Sequence, residues 1–301
     1  MTPVIIILYN RPKHSLELLN SISKANNSNK HKFYIFCDGP KNIHDQKKII
    51  EIKKILKRFK KKLNLKINFR KKNLGLQNNI VKSISSVLKK DNKVIILEDD
   101  LILNPNFFLF MEAALNKYKN SNKVLQISGY SYPILNNNSH YFLPLTSCWG
   151  WGITKKNWNE FLNFYKNYHL LESEYLLIKK SKNLKNSFNF NDSYNYFAML
   201  ENFFKKKINS WGIIFYLYLF IENKISLFPN NSLIKNNGFD GTGNHKSKTD
   251  VFNIKFTLDQ KGNFPNKIML KYSHIKKVEL FFKKNLTLYA KVKNKLYEKI
   301  F

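Results

Sequence analysis

Three acids stand side by side, Glu98, Asp99 and Asp100, directly after the apolar run VIIL at residues 94 to 97. Partly desolvated carboxylates this close repel one another by on the order of several kcal/mol at intermediate dielectric. A cation must offset that repulsion, and a divalent metal or a ring of lysines could supply it. The competing reading is that the acids cap the next helix, because anions favour helix N-termini. Asn104 and Pro105, however, already form a start signal a few residues on, with Asn104 as N-cap and Pro105 at the first helical position. The run is conspicuous because the chain carries 52 Lys+Arg against 20 Asp+Glu, a formal net charge of +32.

The elements that must carry these acids follow from periodicity. Residues 4–9 read as a strand, and a helix after them has Pro12 in its first turn and Leu16, Leu19 and Ile22 on one face. Strands follow at 32–40 and 65–70, separated by a basic helix at roughly 42–62. Residues 71–90 are a loop and a helix, the fourth strand runs into Glu98 to Asp100, and a fifth spans 123–130. Phe108, Met111 and Leu115 of the intervening helix should face inward. Such alternation builds a parallel sheet from βαβ units, and ligands of open parallel sheets gather at the carboxyl ends of the strands. YNR (9–11), CDG (37–39), RKKNLG (70–75) and EDD therefore converge on one edge. Beyond residue 130 come Asn-rich turns and aromatic segments, with helices near 155–166, 194–206 and 211–222.

Bulk properties bound the rest. A chain of 301 residues, 43% hydrophobic and 15% aromatic, folds around a sizeable core, as one main domain with an elaborated second half. The apolar runs VIIILY and GIIFYLYLFI fall short of the ~20 residues of a membrane-spanning helix, and the first lacks the basic flank of a signal peptide. Cys37 and Cys148 form neither a disulfide framework nor a CxxC pattern, which fits a reducing cytoplasm. Val278, Phe282, Tyr289, Val292, Leu296 and Ile300 recur at helical spacing or its multiples with lysines between them. That pattern suits a solvated helix face, or a basic amphipathic helix on an anionic membrane. No GxxxxGK[ST] or GxGxxG loop is present, so nucleotide binding would use neither common Gly-rich device.

VIIILYNRP, FCDGP, KKNLGL, VIILEDDLILNPNFF, SCWGWGITKKNW, NSWGIIFY and NNGFDGTGNH, in that order over residues 3–245, resemble the GT-A glycosyltransferases. The likeness is to bacterial family-2-like sugar transferases and, more distantly, to the N-acetylglucosaminyltransferase I group. It implies an α/β fold of GT-A type, a central mostly parallel, Rossmann-like sheet flanked by helices with an irregular acceptor-side second half. It divides the chain into a nucleotide-sugar-binding half (1–130), an acceptor-side and catalytic half (131–250) and a basic amphipathic C-terminal extension (251–301).

The resemblance also implies roles. Asp100 would ligate Mn²⁺ or Mg²⁺, with His245 as a late metal ligand or else a plain surface residue. Glu98 and Asp99 would meet the ribose, the donor sugar or metal-bound waters. Tyr9, Asn10 and Arg11 would face the donor nucleotide, Asp38 its base, and Asn73 and Gly75 would bring backbone close to it; for Arg11 and Asp38 ordinary turn chemistry is the alternative. One of Trp149 and Trp151 would stack on a sugar, or the two share a packed face, while Trp211 packs the start of the aromatic helix. The related transferases carry an acid near KINSW, where this chain has Asn209, which cannot take a proton. Asp240, Glu201 and Asp192 are the remaining acids nearby; Asp240, then Glu201, are favoured as the base, with a turn or donor-binding role the alternative for Asp240.

The expected activity is metal-dependent transfer of a hexosyl or N-acetylhexosaminyl unit from a nucleoside-diphosphate sugar to a glycan or lipid-linked acceptor hydroxyl. The setting would be surface polysaccharide or lipopolysaccharide biosynthesis at the inner face of the cytoplasmic membrane, with peripheral contact to anionic lipid and no nucleic acid partner. Three rivals follow from the same residues. A basic nucleic-acid-binding protein would give the acids no role; a nucleotidyltransferase would release pyrophosphate; a catalytically dead binding subunit would suit Asn209.

Overall fold

The computed structural model describes residues 1–133, 139–240, 251–257 and 262–286. The first strand, β1 (Val4–Leu8), is VIIIL with every residue buried, which places it inside the sheet with both faces covered. It pairs in parallel with β2 (Lys32–Cys37) on one side and with β4 (Lys93–Glu98) on the other. Beyond β2 lies β3 (Asn64–Phe69), whose alternating exposed and half-buried residues suit an edge strand.

Helices α1 (Pro12–Lys24), α2 (Ile43–Phe59) and α3 (Leu76–Leu88) are the crossovers. Their buried stripes follow helical spacing, as in Ile49, Ile52, Leu56 and Phe59 of α2. On α1 the stripe is His14, Ser15, Leu18, Leu19 and Ile22, with Leu16 at its margin.

After Glu98 the chain departs from a plain βαβ continuation. A three-residue strand, β5 (Leu101–Leu103), comes next, and α4 begins only at Phe107 and runs to Tyr118. Asn104 is therefore not the N-cap. Its Oδ1 accepts from the Asn106 N–H at 2.9 Å, closing a turn through Pro105 that sets the helix two residues later. Phe108, Met111 and Leu115 are buried as expected, and Phe110 is buried too, stacked on Phe264 and edge-on to His140.

The second half completes the sheet with β6 (Val124–Ser128), β7 (Tyr141–Leu143), β8 (Trp151–Thr154) and β9 (Ile225–Phe228), in the order β3-β2-β1-β4-β8-β6-β9-β7. Only β8 and β7 run antiparallel to their neighbours. Helices α5 (Lys155–Lys166), α6 (Tyr168–Lys180), α7 (Lys182–Phe188), α8 (Tyr196–Phe204) and α9 (Trp211–Ile221) separate β8 from β9. The layout is the one the GT-A resemblance implies, a mostly parallel sheet between helices with a less regular second half. A second, two-stranded sheet pairs β10 (Ile234–Asn236) antiparallel with β5.

The last described helix, α10 (Tyr272–Leu286), corrects an expectation. Val278, Phe281 and Phe282 are buried, with the Phe282 ring 5.3 Å from Tyr132, 5.6 Å from Tyr194 and 5.8 Å from Phe190. The apolar face expected at a lipid interface is spent, at Val278 and Phe282, on the protein's own domain. Tyr289, Val292, Leu296 and Ile300 lie outside the described residues. Among the described residues no helix is long and apolar enough to cross a membrane.

Candidate active site

Sheet direction puts the carboxyl ends of β1, β2, β3, β4, β6 and β9 on one edge, and antiparallel β8 enters from that same edge. Cys148, Trp149 and Gly150, which lead into β8, thus come next to the end of β4. The β5–β10 pairing does the rest. The backbone N–H of Asn237 donates to the Asp100 carbonyl at 2.8 Å, carrying residues 237–240 across the acids. Gly238 is required there, because a Cβ on it would lie 2.2 Å from Asp100 Oδ2.

One guanidinium organises the acids. Arg11 Nη1 donates to Asp100 Oδ2 at 2.9 Å and to Asp99 Oδ1 at 3.3 Å, and Nη2 lies 3.8 Å from Asp240 Oδ1. His14 Nε2 reaches Asp240 Oδ2 at 3.2 Å. Arg11 and His14 flank Pro12 at the start of α1, so three carboxylates from two distant segments face the mouth of one helix. Burial first, then repulsion from Asp100 and Asp99, pushes the Glu98 carboxyl up to about 8; burial and Asp100 push Asp99 up to about 7. Arg11 opposes both shifts without cancelling them.

The loops after β1, β2 and β3 are held by two other acids. Asp38 accepts from the backbone N–H of Gly39 (2.9 Å), Leu74 (2.8 Å) and Gly75 (3.0 Å), and the Asn73 amide donates to Gly39 O at 2.7 Å. Asp38, Asn73 and Gly75 are thereby brought together, with the Asp38 carboxylate binding the β2 and β3 loops to each other. Tyr9 and Asn10 converge on Asp45, at 2.5 and 2.6 Å. Asp45 was missed in the sequence although a signal exists: Asn42 caps α2 and its Oδ1 accepts from the Asp45 N–H, a spacing typical of a helix start.

At the entry to β8 the two tryptophans part. Gly150, at φ +59°, turns the chain so that Trp149 stays outside β8 while Trp151 enters the core. Trp151 is fully buried, stacked on Trp211 at 5.5 Å, and has no face for a sugar; Trp211 packs the start of α9 as expected. Trp149 is half-buried against Tyr130, Phe239 and Phe252. Phe239 and Phe252 had no periodic signal, because they meet only when the chain returns after β10.

Glu201 is not brought to this edge. It pairs with Lys205 at 3.0 Å and lines a separate cavity of about 400 Å³ with Lys185, Asp192 and Tyr194. The KINSW turn does approach: a Cβ on Gly212 would lie 3.7 Å from Cys148 Sγ. The Glu98 charge, after burial, raises the Cys148 thiol, placing that thiol beside the acids. Asn209, however, supplies no carboxylate to that approach. His245, Gly241 and Gly243 lie outside the described residues.

The oxygens of Asp99, Asp100 and Asp240 are of the kind that a hard divalent cation takes. As arranged, they already face a cation. The Arg11 guanidinium stands between them, and no three His, Cys, Asp or Glu side chains converge with metal-ligand spacing among the described residues.

No family model matches the chain, and no curated protein does. Among solved structures, the chain is similar to S. aureus TarS 1-349 at 18% identity, covering 52% of this chain and 47% of that one, with a TM-score of 0.37. For TarS 1-349 in complex with UDP the figures are 16%, 58% and 54%, with a TM-score of 0.38. For the mannosyltransferase PcManGT from Pyrobaculum calidifontis, in complex with GDP-Man and Mn²⁺, they are 9%, 74% and 68%, with a TM-score of 0.40. The chain spans about half the length of the TarS 1-349 chains it matches.

Proposed function

We propose that this protein is a glycosyltransferase that moves a sugar from a nucleoside-diphosphate donor to an acceptor hydroxyl. The observation that carries the reading is the convergence, on the carboxyl edge of a mostly parallel sheet, of Glu98, Asp99, Asp100, Arg11 and Asp240 beside the half-buried indole of Trp149.

Each group then has work that its position allows. The loops tied by Asp38 and Asp45 shape the nucleotide side, with Asn73, Gly75, Tyr9 and Asn10 on its wall. Arg11 meets the negative charge that grows on the departing diphosphate, a favourable placement for a fixed cation. Trp149 offers its ring to a sugar. Asp240 takes the acceptor proton, and His14 at 3.2 Å orients its carboxylate for that transfer. A bound Mn²⁺ or Mg²⁺ would add Lewis-acid stabilisation of the leaving group. Asp100 and His245 remain the ligands we assign to it.

The finer assignments belong to the same reading. They are a glycan or lipid-linked acceptor in surface polysaccharide biosynthesis, the halves 1–130 and 131–250, and residence at the inner membrane face. For membrane contact the support is the net charge of +32 together with the exposed basic residues of α2, among them Lys47, Lys53, Lys57 and Arg58.

A thermal-shift screen of nucleoside-diphosphate sugars, with and without Mn²⁺, tests the proposal. The expected result is stabilisation by one donor that is lost in Asp100→Ala. No shift with any donor would overturn it.

A further inference from the structure

Arg11 stands where a divalent ion would have to sit. Its two terminal nitrogens face three carboxylates, at 2.9 Å from Asp100, 3.3 Å from Asp99 and 3.8 Å from Asp240, and its side chain is only 15% exposed. Asp99 and Asp100 are 11% and 21% exposed. The pairs are therefore sheltered from the screening that makes surface ion pairs weak. A guanidinium and a divalent cation cannot share those oxygens: both need the same lone pairs, and close cations repel.

We infer that Arg11 is the resident counter-ion of the acidic edge, and that a divalent metal and Arg11 compete for Asp99 and Asp100. The metal therefore enters only when a diphosphate draws the guanidinium away. Arg11 sets an order of binding. In the free protein it neutralises Asp99 and Asp100 and keeps the metal off. A diphosphate at the strand edge presents oxygens that Arg11 can grip in the same forked geometry, and this frees the carboxylates for a cation that the diphosphate also binds. Position in the chain makes the exchange local. Arg11 occupies the N-cap position at the mouth of α1, directly before Pro12, with a φ of −121°.

The second half of this inference rests on the donor-binding reading above, whereas the competition between Arg11 and the metal does not. The full chain is titrated with Mn²⁺ alone, followed by electron paramagnetic resonance of the free ion, for wild type and Arg11→Gln. The expected result is at least tenfold tighter Mn²⁺ binding in Arg11→Gln, with Arg11→Lys between the two. Equal or weaker binding in Arg11→Gln would overturn the proposal.

A wild-type measurement needs no variant. Preformed Mn²⁺–pyrophosphate should raise the melting temperature further than pyrophosphate alone, whereas Mn²⁺ alone should not raise it. A shift with Mn²⁺ alone as large as with the complex would overturn the ordering. If the nucleotide-sugar screen fails while Arg11→Gln still gains Mn²⁺ affinity, the transferase reading falls and the competition stands.

Discussion

The two sides of the strand edge are held together by different physics. Around the ends of β1, β2 and β3, Asp38 and Asp45 accept directed hydrogen bonds from backbone and side chains, so the loops after those strands have one geometry that satisfies those oxygens. Beside β8, Trp149, Phe239, Phe252 and Phe281 meet through ring contacts at 5.3 to 6.0 Å. Ring contacts tolerate sliding and tilting, whereas a carboxylate bridging three N–H groups does not. The difference gives one strand edge a rigid part and an adaptable part.

That contrast can be broken by experiment. The largest effect should come from the core beneath the aromatic side. Trp151→Ala removes a fully buried indole from between β8 and α9 and should cost about 3–5 kcal/mol in urea unfolding. A cost below about 1 kcal/mol would mean that Trp151 is not the anchor between β8 and α9.

Next comes Asp38→Ala, which strands the N–H groups of Gly39, Leu74 and Gly75 and should cost about 2–4 kcal/mol. Hydrogen exchange should report the loss as local opening of residues 70–76. Loosening on the aromatic side as well would erase the distinction drawn here.

The third effect is electrostatic. Burial raises Glu98 to about 8 and Asp99 to about 7, so the folded chain holds these protons more tightly than the unfolded one, where carboxylates titrate near about 4. The associated stability is complete below that unfolded value and is lost as pH rises through about 7 to 8. Glu98→Gln should therefore flatten the fall in melting temperature between pH 5 and 8.5, measured without divalent ions. An unchanged slope would show that the acids are better solvated than their placement implies.

Much of the first half was legible because its signals are local. The all-apolar VIIIL, the Pro12 start of α1 and the periodic stripe of α2 each specify an element within a dozen residues. The start of α4 was misplaced for an equally local reason: Asn104 and Pro105 resemble a cap, yet β5 consumes the residues before them once β10 is present to pair with it. The parity of Trp149 and Trp151 could not be read either, since Gly150 breaks the alternation that a two-residue spacing assumes. The α10 stripe was read correctly as amphipathic. Its partner was not, because amphipathicity records that a face must be covered and says nothing about what covers it.

From the sequence alone came the order of elements through β4, the edge on which EDD lies and the need for a positive charge to offset it, all consequences of short-range pattern and of charge that cannot be buried unpaired. The tertiary structure decided that the positive charge is Arg11, that Asp240 crosses some 140 residues of chain to join Asp100, and that Glu201 does not. These outcomes depend on the β5–β10 pairing and the antiparallel entry of β8, long-range contacts whose free energy belongs to the assembled sheet and to no single segment of it.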